Sequence, residues 1–387
     1  MSIQQLDKTY VAGTYARFPV EIVSGKGSVV TAADGKEYID MGSGIGVTAL
    51  GFGDEGWLQA VTAQLSQVQH TSNLYYTAPC AQLAELLCAR TGMKKVFFSN
   101  SGAEANECAI KVARKYAADK KGADYATIIT LENSFHGRTL TTLAATGQDK
   151  FHALFQPLTP GFVHVPANDI LALREAVAAH KVAGILMESV QGEGGVIPLN
   201  EDFVQAAAAL AAEQDFLLMF DEVQTGNGRT GRLYGYMHYG VQPDVVSTAK
   251  GLGGGLPIGA TLLGDKVQQV LGPGDHGSTY GGNPVCCAGA LEVIRRIDDD
   301  LLAHVERVSA YIFRELADAP GVQAVTGKGL MIGILPEKPA AEVVATCREL
   351  GVLCLTAKQK VRLLPALNIP MELAEKAVAV LKAALAE

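Results

Sequence analysis

No apolar run in this 387-residue sequence is long enough to cross a membrane. The first residues, Met1 to Asp7, also lack the basic-then-apolar order of a secretory signal. A membrane partner is therefore not expected, and the reading places the chain in the cytoplasm. Histidine is sparse: eight residues, scattered, with neither an HExxH run nor a short paired spacing. The seven cysteines offer no ligand pattern either. Cys286 and Cys287 are adjacent and do not easily share one ion, while Cys80, Cys88 and Cys108 fall in helix-like contexts. An odd count without a secretory signal reads as reduced, mostly buried thiols, and no metal is expected. Positive charge is in deficit too. A net charge of −8 argues against nucleic acid as the main partner, yet leaves room for a local cationic pocket that takes an acidic substrate. Internal repeats and low-complexity tracts are missing as well.

What the chain does have is apolar content, 48% of residues, enough to fill a sizeable core across two domains. The stretch from Phe216 to Lys250 organises the rest. Phe216-Leu-Leu-Met-Phe220 ends abruptly in Asp221-Glu222, the pattern of a buried strand that delivers a carboxylate. After a glycine-rich turn, Asp244-Val-Val-Ser247 forms a second short strand running into Thr248-Ala-Lys250 and then Gly251-Leu-Gly-Gly-Gly255. A lysine at the end of a buried strand is desolvated, which disfavours its ammonium and makes the amine a nucleophile able to form Schiff bases. An acid and a lysine at two strand ends match the needs of pyridoxal 5′-phosphate: an anion for its ring nitrogen and an amine for its aldehyde. The plainer readings are a helix-capping Asp221 and a solvated Lys250.

Other strand ends add to the pattern. Val96-Phe-Phe98 leads into Ser99-Asn-Ser-Gly-Ala103 and a helix with Ala105, Ala109, Val112, Ala113 and Tyr116 on one face and Glu107 and Lys111 as an i,i+4 pair. That helix start is either an anion cup or simple N-capping by Ser99 or Ser101. Ile128-Ile-Thr-Leu131 ends in Asn133-Ser-Phe-His-Gly-Arg-Thr139, where Phe135 can stack on a planar ring and Arg138 can fork onto a carboxylate. The alternatives are a core Phe135 and a surface Arg138. Gly184-Ile-Leu-Met-Glu188 runs to Gln191-Gly-Glu-Gly-Gly195, and Asn200 caps an alanine-rich helix to about Gln214. Asn73-Leu-Tyr-Tyr76 reads as core or pocket lining.

Strands alternating with helices predict an α/β fold whose mostly parallel sheet carries its functional loops at the strand carboxyl ends. A hairpin at Val29–Thr31 and Tyr38–Asp40, with Gly42–Gly46 as a flexible link, opens the chain. Helices near 301–316 and 340–350 and strands near 322–325, 330–335, 352–355 and 362–364 close it as an α+β region. The expected division is a small-domain segment at 1–45, a large domain at 46–284 and the rest of the small domain at 285–387.

Taken together, Ser-Gly-Ala-Glu-Ala-Asn-Glu (101–107), Phe-His-Gly-Arg-Thr (135–139), Gln-Gly-Glu-Gly-Gly (191–195), Asp-Glu-Val-Gln-Thr-Gly (221–226), Thr-Ala-Lys (248–250) and Ser-Thr-Tyr-Gly-Gly-Asn-Pro (278–284) resemble the class III aminotransferases. They do so in family order over nearly the whole chain, and most closely in their acetylornithine branch. The resemblance implies fold type I, a homodimer with shared active sites, and pyridoxal phosphate as cofactor. It implies Lys250 as the lysine joined to the cofactor, Asp221 at the pyridine nitrogen, Gln224 near the ring hydroxyl and Phe135 stacked on the ring. Ser101, Gly102 and Ala103 would hold the phosphate, with Thr279 reaching across from a second copy. Arg138 and Ser278 would meet substrate, and Glu193 would pair with Arg362 as a switch that opens for a second carboxylate. The implied reaction moves the terminal amino group of N2-acetyl-L-ornithine to 2-oxoglutarate. The rivals are 4-aminobutyrate or succinylornithine as donor, or an aminomutase. Met187-Glu-Ser-Val190 and Asn227 depart from the family pattern, and Ile45 stands where ornithine aminotransferases carry tyrosine.

Overall fold

The structure, a computed structural model, describes residues 1–386. Among these residues a seven-stranded sheet forms the centre, in the spatial order Lys95–Ser99, Gly259–Leu263, Val245–Thr248, Leu217–Asp221, Val182–Met187, Thr127–Leu131 and Phe162–Val165. Only Gly259–Leu263 runs against the others, pairing antiparallel with both its neighbours. Every residue of Val182–Met187, Leu217–Asp221, Val245–Thr248 and Gly259–Leu263 is buried. A strand covered on both faces reads as an unbroken apolar run, which is why these segments show no alternation. Burying Leu217, Leu218, Met219 and Phe220 contributes roughly 1.5–3 kcal/mol each. That is ample to carry one hydrogen-bonded carboxylate, Asp221, into the interior.

The helix Gly102–Lys121 crosses from Lys95–Ser99 to Thr127–Leu131 and lays its predicted face, Ala105, Ala109, Val112, Ala113 and Tyr116, on the sheet. Small side chains let it come close. A Cβ on Gly184 would stand 2.9 Å from Met219 Cε, 3.1 Å from the Leu217 carbonyl oxygen and 3.4 Å from Ala113 Cβ, so a larger residue there would have to displace the Met219 side chain. The Glu107–Lys111 pair does not form. Glu107 accepts a hydrogen bond from the Thr139 hydroxyl at 2.5 Å, and Lys111 donates to the Asp275 carbonyl at 2.6 Å. Partners from other loops outcompete an exposed pair worth only a few tenths of a kcal/mol, about 0.2–0.5.

The opening hairpin is present, with Val29–Ala32 antiparallel to Glu37–Asp40. Val352–Leu353 joins it parallel to Glu37–Asp40, so the two chain ends share one sheet. A separate four-stranded sheet holds Val322–Lys328, Met331–Pro336, Leu355–Ala357 and Lys360–Leu363. The helix Pro284–Arg296 packs on Glu55–Gln67 and Ala78–Thr91.

Two local expectations need correction. Gly42–Gly46 is no flexible link: Ser43, Gly44, Ile45 and Gly46 have φ of 46°, 61°, 64° and 74°, one turn of left-handed backbone. Ser43 and Gly46 are buried, and the Gly46 position faces the guanidinium of the fully buried Arg229. Left-handed φ at a β-branched Ile45 is strained and persists only where packing imposes it. Asn200 sits at the helix N-cap but makes no side-chain capping bond. Of the two readings of Asn73-Leu-Tyr-Tyr76, pocket lining holds: Leu74, Tyr75 and Tyr76 are 85%, 71% and 106% exposed, and Asn73, Tyr75 and Tyr76 line a second cavity with His70, Phe98 and Asn283. No described helix is long and apolar enough to cross a membrane.

Candidate active site

Because all but one of the central strands point the same way, their carboxyl ends deliver their loops to one edge of the sheet. Ser99, Leu131, Met187, Asp221 and Thr248 are last residues of such strands. A cavity of about 460 Å³ opens there, lined by Ser101, Gly102, Ala103, Asn106, Phe135, His136, Arg138, Glu188, Asp221, Gln224 and Lys250, among others. That volume lies in the range of small-molecule sites, roughly 300–1,000 Å³.

Asp221 and Lys250 come from adjacent parallel strands, with Asp221 in register with Ser247. Asp221 is 3% exposed. Its Oδ1 accepts from the Val223 backbone N–H at 3.0 Å, and its Oδ2 accepts from Asn106 Nδ2 at 2.7 Å and lies 2.8 Å from His136 Nδ1. The neighbouring Glu222 is engaged differently. It accepts from Ser189, Thr225, Gly235 N–H and Tyr236 N–H, four bonds that tie the following turn in place and offset the burial that raises its pKa. Strand alternation thus sends one acid into the cavity and buries the other as a structural anchor.

Lys250 follows Ala249 with a φ of 44°. Burial holds its amine below the ordinary lysine value, outweighing the Glu193 and Asp221 charges that pull it back up. Such burial favours the neutral amine and speaks against the reading of Lys250 as a solvated side chain.

Ser101 caps the helix Gly102–Lys121, its Oγ accepting from the Glu104 N–H at 3.2 Å. The first N–H groups of a helix have no partner within it, and Gly102 and Ala103 stand at that first turn on the cavity wall. The capping reading of Ser101 is therefore observed, and the same helix start lines the cavity. A Cβ on Gly102 would lie 2.6 Å from Val223 Cγ1, so the cup tolerates only glycine.

Phe135 lines the cavity and meets Phe151 edge-on at 6.2 Å between ring centres. Exposed Arg138 lies over the rings of Phe135 and Phe151, at 5.4 and 4.0 Å. Arg362, 3% exposed and on the strand Lys360–Leu363, does not itself line the cavity but meets Gln224, which does. Its Nη1 donates to Glu193 Oε1 at 2.5 Å and to Gln224 Oε1 at 3.2 Å, while its buried Nε has no protein partner. Burial pulls the Glu193 carboxyl up, but Arg362, with Lys250 and Gln224, brings it below its usual value. Ser278 accepts from Asn100 Nδ2 at 3.0 Å. Thr279 is exposed and does not line the cavity.

Three lining residues carry no role in the sequence reading. Asn106 and His136 both contact Asp221, and Glu188 accepts from the N–H groups of Phe135 and Gly192, each at 3.0 Å. Burial and the nearby Asp221 push the Glu188 acid up to about 7, against the opposing pull of His136. One signal is present in the sequence: Asn106 is an amide beside Ala105 and Ala109 on the helix face that meets the sheet.

Fold and pocket together are those of the fold type I enzymes that work with pyridoxal phosphate. Residues 10–385 match the family model Aminotransferase class-III, and the chain belongs to that family of pyridoxal-phosphate-dependent aminotransferases. It is 51% identical over 387 residues to the acetylornithine aminotransferase of Haemophilus ducreyi, across 100% of this chain and 98% of that protein. The ornithine aminotransferase of Toxoplasma gondii superposes with a TM-score of 0.94 at 32% identity, over 99% of this chain and 93% of that one. The N-acetylornithine aminotransferase of Stenotrophomonas maltophilia gives 0.84 at 35%, over 99% and 98%.

The residues present fit the cofactor. Val223 leaves room only for glycine at a helix start whose free N–H groups could take a phosphate, a buried amine lies within the same cavity, and a carboxylate is offered with one acceptor position still open. When bound, pyridoxal phosphate supplies an aldehyde for the amine and a ring that draws electrons from the reacting carbon.

Proposed function

We propose that this chain moves the terminal amino group of N2-acetyl-L-ornithine to 2-oxoglutarate, giving N-acetyl-L-glutamate 5-semialdehyde and L-glutamate. The observation that carries the reading is the Glu193–Arg362 pair with its spare Nε. The donor presents one carboxylate, far from its reacting amine, and Arg138 takes it. The other substrate has two carboxylates and needs a second cation, which Arg362 supplies once Glu193 lets go. Buried Arg362 gains little from solvent in either state, so the exchange trades one carboxylate for another at low cost. The names of the similar acetylornithine enzymes support the choice of donor.

Within this reading Lys250 joins the cofactor, then carries the proton taken from the donor's amine-bearing carbon. Asp221 keeps the ring nitrogen protonated, Gln224 meets the ring hydroxyl, Phe135 packs on the ring, and Ser101, Gly102 and Ala103 hold the phosphate. Ser278 adds a substrate contact, and Thr279 reaches the cup of a second copy. A homodimer also accounts for the exposed Leu74, Tyr75 and Tyr76. The small domain is drawn from both chain ends, which the pairing of Val352–Leu353 with Glu37–Asp40 supports. We place the enzyme in the cytoplasm, in arginine biosynthesis.

Steady-state glutamate formation from 2-oxoglutarate tests the reading with three donors. N-acetylornithine is expected to give a kcat/KM at least about tenfold above 4-aminobutyrate and ornithine, the discrimination one well-placed polar contact provides. A higher kcat/KM for 4-aminobutyrate would assign the same site to another donor.

A further inference from the structure

Asp221 is surrounded more completely than an acid that merely faces a ring requires. Asn106, His136, Asp221 and Ser247 are 1%, 2%, 3% and 0% exposed. Ser247 Oγ donates to Asn106 Oδ1 at 2.5 Å, which assigns the amide: its oxygen faces the hydroxyl and its nitrogen faces two acceptors. Those acceptors are Asp221 Oδ2, at 2.7 Å, and the His136 carbonyl, at 2.8 Å. The His136 backbone is pinned in turn, its N–H donating to Thr146 Oγ1 at 2.9 Å. Beside a carboxylate oxygen at 2.8 Å, His136 Nδ1 carries the proton. Its Nε2 is buried with no protein partner, so the ring's one hydrogen bond to protein goes to Asp221.

The count on Asp221 is then definite. A carboxylate offers about four acceptor positions. Asn106 and His136 fill the two on Oδ2, and the Val223 N–H fills one on Oδ1. A single position is left, on Oδ1.

We propose that Asn106 and His136 are positioning residues that lock Oδ2 of Asp221, leaving Oδ1 as the oxygen that receives the cofactor's ring nitrogen, with Ser247 fixing the amide of Asn106. The inference rests on the proposed role of Asp221 and extends it to two side chains that the sequence reading leaves without a role. It also links three elements. Ser247 lies on the strand that carries Lys250, Asn106 on the helix whose start forms the phosphate cup, and His136 in the loop of Phe135. The network therefore sets the distance between acid, amine and cup before any ligand arrives, so little ordering remains to be done on binding.

The test compares dissociation constants of two ligands on the apoprotein: pyridoxal phosphate, and its carba analogue with a C–H in place of the ring nitrogen. His136→Phe and Asn106→Leu are expected to weaken pyridoxal phosphate by about tenfold or more, the loss that follows misplacing a charge-assisted hydrogen bond. The same variants should bind the carba analogue as the wild type does, because that ligand asks nothing of Asp221. His136→Gln, which can still donate an N–H, should recover binding to within about threefold. Ser247→Ala, a smaller change less prone to unfold the protein, should show the same selectivity at reduced size. Equal weakening of both ligands would reduce the network to a packing role and overturn the proposal. So would unchanged affinity for pyridoxal phosphate in the variants. Wild type that binds neither ligand would overturn the proposed function itself.

Discussion

Replacing Lys250 with alanine is expected to lower turnover by at least about 10⁴-fold while leaving the fold intact. The size follows from two losses in one substitution, the nucleophilic amine and the proton carrier, which no neighbour duplicates. Glu193 and Arg362 are engaged with each other, and Glu188 is engaged by two backbone N–H groups. The fold survives because Lys250 lines an open cavity and alanine keeps its Cβ at the same left-handed φ of 44°. Stability of the apoprotein should respond in a defined direction. Burial lowers the Lys250 pKa from 10.5, so in the window below 10.5 the unfolded chain binds more protons than the folded one. Wild-type stability contributed by this group therefore rises with pH through that window, and the cost of burying the ammonium is fully present below it. The alanine variant lacks this slope. Unfolding followed at several pH values on both apoproteins should show their difference closing as pH approaches 10.5. Retained turnover within about tenfold of wild type would sink the assignment.

Asp221→Asn carries the second large effect, a fall in the rate of the donor half-reaction of about 10³-fold, the scale for losing one preorganised electrostatic partner. The physical reason lies in the donor count. Asn106 and His136 both direct N–H groups at Oδ2 and would hold the oxygen of the new amide there. The amide's NH₂ would then face the Val223 N–H, donor against donor, and would offer a proton to the ring nitrogen instead of stabilising one already on it. A neutral ring draws electrons poorly. Rapid-mixing absorption with N-acetylornithine measures the rate, and circular dichroism checks the fold. A rate within about tenfold of wild type would show that the carboxylate is not the group that matters.

The chemistry-bearing strands are legible in the sequence because burial on both faces and a polar terminus leave a plain record. Leu217–Asp221 and Val245–Thr248 are short apolar runs that stop at the residue delivered to the site. The same record says nothing of direction. Gly259–Leu263 is as apolar as its neighbours and follows a glycine-rich turn, and nothing within it marks the one antiparallel strand. Phe162–Val165, at the sheet edge, escapes the sequence reading too. Gly42–Gly46 reads as a link because glycine marks mobility and left-handed backbone alike, and only packing against Arg229 tells them apart. Glu107 and Lys111 stand at pairing distance along the helix, but long-range partners such as Thr139 and the Asp275 carbonyl have no local signature. His136 and Asn106 are visible inside motifs yet silent about role, since their meaning is a shared contact with an acid 85 and 115 residues away.

The most direct measurement is the location of the cofactor's covalent attachment. Purified holoprotein is reduced with borohydride, digested, and its peptides weighed by mass spectrometry. The cofactor mass is predicted on the peptide containing Lys250 and on no other. Attachment at a different lysine, or none in cofactor-saturated protein, would contradict a site built at the ends of the Asp221 and Lys250 strands.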